Sequence, residues 1–92
     1  MSALLRASVR PYHDAKGARE LLAFADLAVA GLLIVKGLRV LKSKATGEPY
    51  VTFPMRRSSG GAFFEVVSPT TPKAREEIKK TVLRAFGRAA KA

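Results

Sequence analysis

Cysteine and tryptophan are absent from this 92-residue chain, histidine occurs once, and only seven acidic residues stand against seventeen lysines and arginines. Without cysteine there is no disulfide, no thiol nucleophile and no thiolate ligand, a composition that agrees with a reducing cytosolic setting. The one histidine, His13, sits beside Asp14 in a polar segment and reads as a solvated turn residue. No metal-ligand cluster, no nucleophile with a base and no paired carboxylates in apolar surroundings can be picked out, so neither an enzyme nor a cofactor is expected. A long apolar run is also missing. Residues 21–35 are the most apolar stretch, but Asp26 and Lys36 hold the run short of the roughly 20 residues a membrane span needs. At the N-terminus Arg6 and Arg10 break up the only candidate for the apolar stretch of a signal peptide, and the chain reads as cytoplasmic and not addressed for export.

What is present is positive charge, a formal +10. Polyanions such as nucleic acid or anionic lipid are the natural counterparts of such an excess. A chain of this length makes one domain that buries only about 60–68% of its unfolded surface, which leaves a monomer marginal and favours self-association.

Two periodicities organise the chain. Leu5, Ala7 and Val9 alternate with Arg6, Ser8 and Arg10, which predicts a half-buried strand over 4–10 ended by Pro11, and 13–19 reads as a hairpin connection. Residues 21–35 could be read as a helix rich in Ala and Leu. Gly31 interrupts that pattern, and the favoured reading is two strands, 20–29 and 32–42, joined by a turn at Ala30-Gly31. Because Leu32-Leu33-Ile34-Val35 has no polar face, that strand is expected to be central, covered by a helix on one side and by something else, such as a second subunit, on the other. A hairpin follows, with Gly47 in the left-handed region at its turn and a strand over 49–55. Val51, Phe53 and Met55 are its core-facing candidates, and Pro54 belongs at a strand end or sheet edge. The loop Arg56-Arg57-Ser58-Ser59-Gly60-Gly61-Ala62 reads equally well as a phosphate-wrapping segment or as a plain hairpin loop before a fifth strand, 63–67.

Thr71 followed by Pro72 marks a helix start, with an N-cap and a proline at the first helical position. Ala74, Ile78, Val82, Ala85, Phe86 and Ala89 then share one face at 100° per residue. The opposite face gathers Lys73, Lys80, Arg84, Arg88 and Lys91, with Glu77 among them and Glu76 placed to pair with Lys80. From Lys73 to Lys91 seven basic residues stand against two acidic ones. A solvated face is served as well by mixed signs, so this imbalance points to a polyanion. The helix is expected over 72–86, with Gly87 stopping it and 87–92 forming a basic tail.

The succession Leu38-Arg39-Val40, Tyr50-Val51-Thr52-Phe53-Pro54-Met55-Arg56-Arg57, Phe64-Glu65-Val66-Val67-Ser68-Pro69 and a helix opening Pro72-Lys73-Ala74-Arg75 resembles the SpoVG family of bacterial septation and sporulation regulators. Gly37 and Ser68 depart from the family pattern, which typically has an acidic residue and often a histidine at those places. The resemblance implies a small α+β domain, homodimeric, that binds DNA and RNA in regulation without enzymatic activity. The expected fold is accordingly α+β, an antiparallel sheet of about five strands with one C-terminal helix and a sheet-mediated homodimer. The expected function is nucleic-acid binding through phosphate contacts from Arg56, Arg57, Lys73, Lys80, Arg84 and Arg88, which give affinity and register but little sequence discrimination. The opposing reading is a protein-interaction or anionic-membrane-surface module, since a basic amphipathic helix can lie on lipid.

Overall fold

Alternation in the N-terminal half produces a meander. The computed structural model describes residues 4–12 and 20–91. Strands β1 (Leu5–Pro11), β2 (Leu21–Val29), β3 (Leu33–Lys42) and β4 (Pro49–Thr52) pair antiparallel in the order β1-β2-β3-β4. The apolar run is therefore two strands and not a helix. They are joined where Ala30 and Gly31 take φ of 54° and 69° and the Leu32 N–H donates to the Val29 carbonyl at 2.9 Å. Gly47, with φ 74°, closes the β3–β4 turn as the sequence predicts, its N–H donating to Ser43 O at 2.8 Å. The expected connection over 13–19 lies outside the described residues.

The pleat decides the core. Pairing of Ala25 with Leu38, Ala23 with Val40 and Val40 with Val51 puts these side chains on one face, and all are buried. The helix α1 (Pro72–Lys91) covers that face, contributing buried Val82 and Ala85, with Ile78, Leu83 and Phe86 packed around them. Small Ala23 and Ala25 leave room for the helix to approach the middle of the sheet. The helix start is as predicted. Thr71 Oγ1 accepts the Ala74 N–H at 3.0 Å and the Thr71 carbonyl accepts that of Arg75 at 3.0 Å, with Pro72 as the first helical residue.

Three expectations need correction. First, the antiparallel α+β fold with one C-terminal helix is as expected, but among the described residues its strands divide between two sheets: β5 (Met55–Arg57) and β6 (Phe63–Glu65) form a two-stranded hairpin apart from the four-stranded sheet. The β3–β4 ladder ends at Arg39 opposite Thr52, because β3 carries an extra residue at Lys36-Gly37 and Pro54 has no N–H to continue the pairing. Gly37 takes φ 93° in that bulge. Pro54 turns its carbonyl to the Val66 N–H instead, at 2.9 Å. Second, Met55 is not in the core but 54% exposed, since the break at Pro54 ends the alternation that would have buried it. Third, Gly87 does not stop the helix, which continues to Lys91. Ala85 is docked against the sheet and Ala89 is half-buried, and a helix held by its apolar face tolerates a glycine costing about 1 kcal/mol.

That cost is recoverable. Beyond its chain neighbours and the helix's own backbone, no atom lies within 4 Å of where a Cβ on Gly87 would stand. Gly87→Ala is expected to stabilise the protein by about 0.5–1 kcal/mol, a rise in Tm of roughly 2–8 °C in a melting experiment.

β3 is interior in the strand order, as expected, but only its second half is flanked on both sides. β4 pairs with residues 39–42 alone. Leu33 and Ile34, which pair with Val29 and Ala28 on β2, are 56% and 60% exposed. The first half of β3 is therefore an apolar strand segment with an open edge among the described residues.

Candidate nucleic-acid interface

The docking of α1 fixes what its other side presents. With Val82 and Ala85 buried against the sheet, Lys73, Lys80, Arg84 and Arg88 all fall on the exposed side, with exposed Glu76 and half-buried Glu77 as the acids among them. Lys80 and Arg84 are one turn apart, and Arg88 follows one turn later. Glu76 and Lys80 make no ion pair in the structure, contrary to the helix-spacing expectation, so this stripe is not held by internal salt links among the described residues. Its cations are free to meet an anion.

Arg56 and Arg57 are exposed too, but on β5, opposite Phe64 and Phe63 of β6. The sequence placed Arg56 and Arg57 at the head of a loop, apart from the four basic residues of the helix; the structure puts them on a strand of the hairpin. Arg75 ties these two elements together, a residue that sequence reasoning missed. Its guanidinium donates to Glu65 Oε2 and Oε1 at 2.9 and 2.8 Å and lies 5.0 Å from the centre of the Phe53 ring. The pair is ten residues apart with no helical or strand spacing, so no local signal could have found it. Ser68 Oγ adds a third hydrogen bond to Glu65, at 3.1 Å. The loop between β5 and β6 resolves as a hairpin loop whose donors are largely committed to itself. Ser58 N–H donates to Ala62 O at 2.7 Å, Gly61 N–H to Ser58 O at 3.0 Å and Ala62 N–H to Ser58 Oγ at 3.2 Å.

The hydrogen bonds from Arg75 hold the Glu65 carboxyl below the usual carboxylate range, partial desolvation opposing them and Ser68 assisting. A depressed carboxylate contributes stability above its unfolded-state pKa and loses it as pH falls through the lowered folded-state value. The tie between hairpin and helix is therefore expected to be intact at neutral and mildly acidic pH and to open only below the ordinary glutamate range. An NMR titration of the Glu65 carboxyl should show a depressed midpoint in the parent protein that returns to the ordinary value in Arg75→Gln.

On the far side of the sheet Arg6, Ser8 and Arg10 point outward, as their alternation predicts. Arg10 donates to Asp26 at 2.9 Å. Arg39, opposite Thr52, also lies exposed on this face.

This strand order, with a β5–β6 hairpin leading into a capped C-terminal helix, coincides with a family likeness. The model of the SpoVG family matches residues 4–88. The chain belongs to the SpoVG family. A relative from Archaeoglobus fulgidus, named "Putative septation protein SpoVG", is 33% identical over 76 residues, 80% of this chain and 85% of that protein. The stretch matched to SpoVG takes in the whole sheet, the hairpin and the helix through Arg88, so all six candidate basic residues lie inside it.

Proposed function

We propose that this SpoVG family member is a nucleic-acid-binding regulatory protein, acting on DNA, RNA or both by binding and not by catalysis. The observation that carries this reading is the solvent side of α1, where Lys73, Lys80, Arg84 and Arg88 stand exposed and the acids among them are exposed Glu76 and half-buried Glu77. Arg56 and Arg57 supply further phosphate contacts from the hairpin. The name of the archaeal relative supports a link to septation. Residence in the cytoplasm belongs to the same reading; among the described residues no helix is long and apolar enough to cross a membrane. A lipid-surface module is less well supported, because the apolar side of α1, which would have to enter the headgroup layer, is packed on the sheet.

The test is a gel-shift or anisotropy titration across salt concentrations, beside sedimentation with anionic vesicles. The expected result is a linear fall of log affinity with log salt, with a slope of about −0.9 per phosphate neutralised on duplex and about −0.7 on single strands. Vesicle binding without nucleic-acid binding would overturn the reading. Sequencing the nucleic acid that copurifies with the protein would then identify the ligand.

The same reading includes a homodimer. It is supported by the open apolar segment of β3, since a second copy pairing there would cover Leu33 and Ile34 and bring two basic helices to one ligand. Ile34→Asp places a charge on a side chain that is exposed in the protomer, so it is expected to separate the dimer without lowering the Tm of the protomer. Analytical ultercentrifugation of both forms checks this, and a parent protein that stays monomeric at tens of micromolar would refute it.

A further inference from the structure

Between the sheet and the β5–β6 hairpin lies a cleft of about 540 Å³, bounded by Arg39, Leu41 and Thr52 of the sheet, Gly37 of the bulge, and Met55 and Phe63 of the hairpin. Its volume is within the range of about 300–1,000 Å³ typical of small-ligand sites. Arg39 and Thr52 flank the buried Val40 and Val51 in the pleat, so the cleft opens on the sheet face that α1 does not cover. None of the four stripe residues, Lys73, Lys80, Arg84 and Arg88, lines it.

Its chemistry is aromatic and cationic together. The Phe63 ring is 66% exposed, and the Arg57 guanidinium lies 5.9 Å from its centre. Arg39 stands exposed on the facing wall, and the lining contains no acidic residue. An apolar ligand would not need the arginines, and a bare phosphate would not need the ring. A nucleotide needs both, a stacking surface for its base and cations for its phosphate.

We propose that this cleft holds one unpaired nucleotide of a single-stranded nucleic acid, its base on Phe63 and its phosphate on Arg39, with Arg57 beside Phe63 at the edge of the cleft. The inference rests on the nucleic-acid reading and narrows it. In a duplex the base faces are stacked on one another and unavailable. The sheet wall of the cleft, Arg39, Leu41 and Thr52, is on the face away from α1, whereas the stripe is on the solvent side of α1. A duplex, stiff over about 150 base pairs, that lies along the stripe does not bend round to the cleft, whereas a flexible single strand reaches both. The surface is thus suited to loops, ends and opened strands.

The test is fluorescence anisotropy with a labelled single-stranded oligonucleotide and with the same sequence in duplex form, at one salt concentration. Phe63→Ala is expected to weaken single-strand binding roughly 5- to 100-fold while duplex binding stays within about twofold, and Phe63→Tyr to restore it. Arg39→Gln, at an exposed position, provides a second variant, expected to weaken the single strand alone. Equal loss on both ligands, or no loss on either with the parent protein binding normally, overturns the cleft and leaves the broader function standing. Absence of binding by the parent protein overturns both. A change in oligomeric state in Phe63→Ala with unchanged single-strand affinity would mark the cleft as a subunit contact and also overturn the proposal, and so would a free mononucleotide that displaces no strand even at saturating concentration.

Discussion

Replacing Lys80 and Arg84 together with glutamate is expected to cut duplex affinity about 60-fold for each protomer in contact at 0.1 M salt and to flatten the salt slope by about 1.8 per protomer, since each phosphate contact contributes roughly 0.9 to the slope. The Tm should barely move. Both side chains are exposed, neither has an ion-pair partner among the described residues, and the positions lie opposite the buried Val82 and Ala85. The added negative charge would repel phosphate as well, so the estimate is a lower one. A proper control changes the same charge elsewhere. Arg6 with Arg10 would be the obvious choice from sequence, but Arg10 is bonded to Asp26, and a glutamate there would set two carboxylates side by side. Arg6 with Lys44, both exposed and remote from α1 in the chain, is the better pair. If the control loses as much affinity as the helix variant, attraction is a net-charge effect and the stripe has no special role. If neither loses any, the basic side of α1 is only a solvated face.

The largest expected effect on stability comes from Leu38→Ala. Leu38 has no exposed surface and sits among Ala25, Val40 and Val82 in the layer between sheet and helix. Truncation removes buried methyl groups and leaves a cavity that neighbours already reduced to alanine cannot fill, at a cost of about 2–5 kcal/mol. For a domain of this size that is a large part of a total of about 5–15 kcal/mol, and each kcal/mol lowers Tm by roughly 4–8 °C. Leu33→Ala on the same strand provides the contrast. Its side chain is 56% exposed, so the loss in the protomer should stay within about 0.5 kcal/mol. Chemical denaturation of the two variants measures the difference directly, and equal losses would mean that the core is not where the burial pattern puts it.

Much of this fold was legible from local chemistry. The period of two in β1, the turn forced by Ala30-Gly31, the hairpin around Gly47 and the Thr71-Pro72 helix start each depend on neighbours within a few residues, where propensity and hydrogen bonding operate unaided. The stripe of Lys73, Lys80, Arg84 and Arg88 was legible for the same reason, because helical spacing alone aligns them once one face is known to be apolar. Even the family could be read from the succession of strands and the Pro54-Met55-Arg56-Arg57 corner.

Other features depend on contacts between distant segments. Whether 49–55 and 63–67 would extend the main sheet turned on a bulge at Lys36-Gly37 that ends the ladder on a neighbouring strand, and no property of 49–67 itself announces it. Gly87 reads locally as a stop, yet packing of Ala85 and the half-burial of Ala89 outweigh its weak propensity and carry the helix on to Lys91. The bond from Arg75 to Glu65, which joins hairpin to helix, and the cleft that the hairpin forms with Arg39 and Thr52 exist only once the chain has folded back on itself. Sequence by itself thus determined most of the elements, the charge and the family, because each is set by short-range pattern. Tertiary structure decided how the basic residues are divided between two surfaces, because that division follows from which strand edges find partners and which do not.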